Sequence, residues 1–186
     1  LKLASNQKSF FNYFGQTRLV TNGTKFFYKN NQPISLKRIT GLHNGIILFK
    51  GEEKLDQSKK NYESFQMKSD SLTFFEKLEK KSEETNESII KCFIEFIEEI
   101  DGNFSIAFTD LEEQILLISS NCGSLYYFQD IEKKIFAYAS EKKILEKFVE
   151  SSDFFSHNKE EIKKVINKSI VLNYLTHEVE VIDNLN

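Results

Sequence analysis

The chain has 186 residues, 40% hydrophobic and 28% charged, with a formal net charge of −3. That balance suits one soluble domain with one sizeable core. Both charge signs are mixed along the chain, which argues against a general nucleic-acid or membrane-surface binder, and no apolar run approaches the ~20 residues of a membrane span.

The opening LKLASNQKSFF lacks the hydrophobic region of a signal peptide. Cys92 and Cys122 lie far apart with no metal-type spacing, so a reducing cytoplasm is expected. His43, His157 and His177 are scattered and suggest no zinc site. Met67 is the only methionine, so Leu1 is expected to be a cut end and residues 1–186 an N-terminally truncated domain.

In chain order, QTRLV (16–20) reads as a short strand ended by the turn pair Asn22-Gly23. Asn30, Asn31 and Pro33 mark a turn. A second Asn-Gly pair, Asn44-Gly45, is expected to open a strand or helical turn in the apolar IILF. Residues 51–64 are polar and read as a loop. A helix is expected from Ser69, capped by Ser69 or Asp70, with Leu72, Phe75 and Leu78 at three-residue steps. A second helix covers 87–100 and should bury Ile90, Phe93, Ile94 and Ile97. The period then changes. Strands are expected at 103–110 and 114–120, then at 124–128 and 134–140, followed by a helix over 140–148. A hairpin of 169–175 with 178–182 closes the chain. Adjacent strand pairs separated by helices indicate an α+β fold with antiparallel sheets.

A few residues carry chemistry, and each also has a plainer reading. Arg18, in the midst of a strand, wants a carboxylate partner, either a ligand's or a neighbouring Asp or Glu. In His43-Asn44-Gly45, the Gly45 N–H and the Asn44 amide are the parts of an oxyanion hole, or simply of a turn. Asp70 can hold an amino group, or act only as a helix cap. Cys122 is expected to be a buried apolar thiol rather than a nucleophile, and Cys92 to lie in the core. Taken together, a carboxylate site at Arg18, an ammonium site at Asp70 and an oxyanion site at Asn44 and Gly45 describe a free amino acid bearing a side-chain amide.

The motifs agree with that ligand. GQTRLVTNG (15–23), HNGII (43–47), SDS (69–71), GNFSIAF (102–108), GSLYY (123–127) and ASEKKIL (139–145) follow in the order found in class II, N-terminal-nucleophile glutamine amidotransferases. The chain resembles the glutaminase domains of glucosamine-6-phosphate synthase and asparagine synthetase from about Gly15 to Phe148. TRLVTNG and NNQP are similar to the asparagine-synthetase-like and sugar-biosynthesis members, and Gln16 and Asn22 stand where the sugar-phosphate synthases often carry His. The resemblance implies a four-layer α/β/β/α sandwich with two stacked antiparallel sheets, here without its N-terminal strand region. It gives Arg18 the glutamine carboxylate, Thr21 and His43 places in the substrate pocket, Asp70 the ammonium, and Asn44 and Gly45 the oxyanion.

It also implies L-glutamine as substrate and a synthetase domain or partner that takes up the ammonia. The glutaminase half would need no cofactor, and ATP would belong to the acceptor half. The family's nucleophile, an N-terminal Cys whose own amine is the base, is not among these residues, since the sequence begins with Leu1. The alternative the resemblance leaves is a non-catalytic glutamine-binding or structural subunit.

Overall fold

The computed structural model describes residues 13–16, 28–50, 68–151 and 161–184. The first part is a 3-10 turn, Tyr28–Asn30, followed by strands β1 (Ile34–Ser35) and β2 (Ile39–Gly45). Helices α1 (Asp70–Thr85) and α2 (Ile89–Glu98) come next. Strands β3 (Phe104–Asp110), β4 (Ile115–Ser120), β5 (Tyr126–Asp130) and β6 (Ile135–Ala139) precede helix α3 (Lys142–Glu150). Strands β7 (Lys163–Lys164), β8 (Lys168–Asn173) and β9 (Val179–Asp183) end the chain. The larger sheet runs β1-β2-β3-β4-β8-β9 and the smaller β6-β5-β7, with every pair antiparallel.

Strand alternation divides the core into layers. Phe104, Ile106 and Phe108 of β3 and Leu117 of β4 join Phe74, Phe75 and Phe93 of α1 and α2. Ala107, Leu116 and Ile118 face the other way and meet Tyr127 of the smaller sheet and Leu125 just before it. Phe128, on the far side of β5, packs on Leu145 and Val149 of α3. The order is helix, sheet, sheet, helix: a layered α+β sandwich. Each fully buried Phe or Leu in these layers contributes roughly 1.5–3 kcal/mol, and β3 and β4 are buried along their whole length because both faces are covered.

The expected helices and the later hairpins are present. Ser69 caps α1 by accepting a hydrogen bond from Leu72 N at 3.1 Å. Three expectations need correction. Asn44-Gly45 closes a strand instead of opening one, and IILF runs on as irregular backbone with a single bridge, Phe49 to Ile100. The α2 stripe is rotated: Ile89, Cys92, Phe93, Phe96 and Ile97 are buried, whereas Ile90 and Ile94 are only partly so, because the helix must fill the space beside Phe74 and Phe108. Cys122 is exposed rather than buried, in a turn after β4, while Cys92 is buried as expected.

Candidate functional site

The feature that organises the site is the end of β2. Gly41, His43, Asn44 and Gly45 of ITGLHNG are not the branched residues that strands prefer, and they hold their place because neighbours fix them. On one side β3 pairs with it from Ile39–Asp110 to Gly45–Phe104. On the face toward the helices, α1 presses on it. Glu79 accepts hydrogen bonds from Arg38 N at 2.8 Å and Ile39 N at 3.2 Å. The Phe75 ring lies so close to Gly41 that a Cβ there would meet it at 2.3 Å. Ser71 Oγ is 2.9 Å from His43 Nδ1. Asp70 accepts from Ile47 N at 3.1 Å, just past the strand, and from its neighbour Ser71 N at 2.9 Å.

On the opposite face, between the two sheets, lies a cavity of about 670 Å³. Leu42, Asn44, Ser105 and Ala107 of the larger sheet line it, with Leu125, just before β5, and Tyr138 of β6 facing them. Asn44 and Ser105 are cross-strand partners, so they share this face. The cavity wall is mixed, with the polar Asn44 and Ser105 beside the apolar Leu42, Ala107 and Leu125. Burial together with the nearby Tyr174 pushes the Tyr138 hydroxyl far above the ordinary tyrosine range, so it stays a neutral donor and acceptor at physiological pH. Gln16 also lines the cavity, and its Oε1 is buried without a hydrogen-bond partner among the described residues. That oxygen is an acceptor available to a bound N–H.

Gly45 has φ +129, a backbone conformation suited to glycine. A Cβ at this position would meet Asn103 O at 2.0 Å. The strand therefore ends in a backbone that only glycine fits, beside an exposed Asn44 side chain at the cavity wall.

A glutamine amidotransferase domain model matches residues 16–147. The chain belongs to the glutamine amidotransferase family. The matched span contains the end of β2, α1 and both sheets' central strands, and with them most of the cavity wall; Tyr13 and Gly15 of that wall lie just before it. A search of curated proteins found no match. Among the described residues no helix is long and apolar enough to cross a membrane, and no cluster of three or more His, Cys, Asp or Glu could hold a metal ion.

Of the residues singled out in the sequence, Asn44, Gly45 and His43 come together at the end of β2. Asn44 reaches the cavity side. The His43 ring is turned to α1, on the helix side, and the residue is buried. Asp70 meets the same segment from α1 but is not part of the cavity wall formed by the described residues. Arg18 and Thr21 lie outside the described residues.

Sequence reasoning missed the groups that hold this segment. Gln32 bonds both backbone groups of His43, and Asn30, also from the turn before β1, accepts from Ser69 N at 2.7 Å. The only signal was their place in a turn next to Pro33. Cys122 was read as inert. Its Sγ lies 3.5–3.7 Å from the hydroxyls of Ser105, Ser120 and Ser124. Partial burial raises its pKa, but these hydrogen bonds outweigh that and bring it down to about 7.

Proposed function

We propose that this domain is the glutaminase half of a glutamine-dependent amidotransferase of the N-terminal-nucleophile class. The observation that carries the reading is the glycine-only backbone at Gly45, beside Asn44 at the mouth of a cavity, in a chain of the glutamine amidotransferase family. In the proposed reaction a cysteine thiolate adds to the amide carbon of glutamine. The negative charge that develops on the amide oxygen is met by the Gly45 N–H and the Asn44 side-chain amide, donors already in place before reaction. The amide nitrogen takes a proton and leaves as ammonia. Water then hydrolyses the glutamyl thioester, giving glutamate and regenerating the thiol. Arg18 would hold the α-carboxylate, Asp70 the α-ammonium, and Thr21 and His43 would shape the pocket. The half-reaction uses no cofactor; ATP would serve an acceptor half on a synthetase domain or partner.

The test is glutamine hydrolysis by the natural full-length protein. Glutamate and ammonia should appear in equal amounts. Loss of one oxyanion donor through Asn44→Ala should lower kcat by about 10²–10³. Full-rate hydrolysis by Asn44→Ala would remove the oxyanion assignment. Glutamine binding without any hydrolysis would instead make this a glutamine-binding subunit.

A further inference from the structure

We propose that Gln32 is a positioning residue for this reaction: its side-chain amide replaces a missing rung of strand on the outer edge of β2 and fixes the backbone leading into Asn44 and Gly45. The inference rests on the glutaminase reading and extends it to a residue that does not touch the substrate.

The register shows what is missing. Strand β1 pairs Ile34 with Gly41 and Ser35 with Thr40. Continued by two residues, that register sets position 32 opposite His43. The main chain does not continue the ladder there, because β1 begins at Ile34. The Gln32 side chain supplies both bonds. Its Oε1 accepts from His43 N at 2.6 Å, and its Nε2 donates to His43 O at 2.8 Å. A primary amide has the same donor and acceptor as a peptide group, so one side chain imitates a strand residue. Gln32 Nε2 also lies 3.4 Å from Ser71 Oγ, and Gln16 Nε2 adds a second donor to His43 O at 3.1 Å.

The same edge carries the donor that matters for reaction. Phe104, opposite Gly45, turns both its backbone groups toward Asn121: its N–H donates to Asn121 Oδ1 at 2.8 Å, and its carbonyl accepts from Asn121 N at 3.2 Å. The Gly45–Phe104 pair is thus of the kind that exchanges no ladder bonds. Alternation along the strand then sends the Gly45 N–H to the outer edge, the edge on which the His43 N–H meets Gln32. Two residues before Gly45, Gln32 decides how far those peptide planes can rotate. An oxyanion donor acts through its direction, so the looseness should appear in turnover more than in binding.

The experiment compares glutamine hydrolysis by the natural full-length protein with that of Gln32→Met, which keeps the length and loses both bonds, and Gln32→Glu. Gln32→Met should lower kcat about tenfold or more while KM stays within about twofold. Gln32→Glu can reproduce both bonds only when its carboxyl is protonated. Its kcat relative to the parent at the same pH should therefore recover as pH falls from about 8 to about 5. A Gln32→Met enzyme with parental kcat, or one changed mainly in KM, would overturn the proposal. If Gln32→Met does not fold, the Gln32→Glu profile decides alone, and a flat ratio across that pH range counts against the role. Asn44→Ala separates the two levels. A slow Asn44→Ala beside a full-rate Gln32→Met defeats the Gln32 role only. A parent that releases no glutamate defeats the glutaminase reading and the Gln32 role with it.

Discussion

Replacing Gly45 by alanine tests the end of β2 most directly. The added methyl would stand 2.0 Å from Asn103 O and 3.0 Å from the Cα of Phe104. Both obstacles are backbone, and the Asn103 carbonyl is already engaged by Ile46 N at 2.9 Å. Relief therefore requires moving the start of β3, whose Phe104 is buried in the helix-facing core. Holding a non-glycine residue at φ +129 costs about 1–3 kcal/mol, and overpacking adds a similar amount. A net loss of about 3 kcal/mol lowers the melting temperature of a chain this size by about 6–12 °C. Thermal unfolding followed by far-ultraviolet circular dichroism reads the shift. Gly15→Ala is the control, since among the described residues a Cβ there meets only Tyr13 Cε1, at an ordinary 3.5 Å. If Gly45→Ala melts within about 2 °C of the parent, as a neutral surface change would, the glycine-only reading of this backbone is wrong.

Three further outcomes are expected. Asp110→Ala should cost about 3–5 kcal/mol in urea unfolding: it strands the buried Arg38 guanidinium, which bonds Asp110 at 2.5 Å, and frees the Glu112 and Glu113 amides; a loss below about 1 kcal/mol would show that Glu112 and Glu113 suffice for Arg38. Iodoacetamide should label Cys122 with a rate that climbs through a midpoint at about pH 7 as the thiolate forms, and leave buried Cys92 unlabelled in the folded protein; a midpoint near the free-thiol value of about 8.5 would mean that the serine hydroxyls do not hold the thiolate. In the natural full-length protein, Asp70→Asn should raise KM for glutamine about 10–100-fold if the carboxylate meets the ammonium, and an unchanged KM would leave Asp70 only its bonds to the backbone.

The parts of the fold that could be read from sequence were those whose own period is strong. SDSLTFFEKLEKK carries its cap and its apolar steps locally, and the alternation of NFSIAFTD followed by the short apolar run of QILLISS is enough to give a hairpin. The β1–β2 hairpin could not be found this way. Ile34–Ser35 is too short to show a period, and β2 spends Gly41, His43, Asn44 and Gly45 where strands prefer branched residues. Tertiary contacts outweigh propensity there. Within the candidate site, Asn44, Gly45, His43 and Asp70 were legible because their residue types are unusual in sequence. Gln32 was not, because a glutamine in a turn shows nothing until the strand edge it completes is known. Cys122 was misjudged partly for a related reason: Ser120 and Ser124 flank it in the sequence, but Ser105 reaches its Sγ from β3.

The grip of α1 on β2 has a consequence for length. Ser71, Phe75 and Glu79 stand four residues apart on one helix face and meet His43, Gly41 and Ile39, two residues apart on the strand. Eight helical residues rise about 12 Å and four strand residues about 13 Å, so the two ladders are commensurate. The seam therefore depends on this spacing as well as on the side chains that meet across it. Deleting a single residue between Ser71 and Glu79 would turn the later contacts by about 100° around the helix and lift them off the strand. Over this seam a change of length should be tolerated far less well than a change of residue, even at positions of α1 that face solvent.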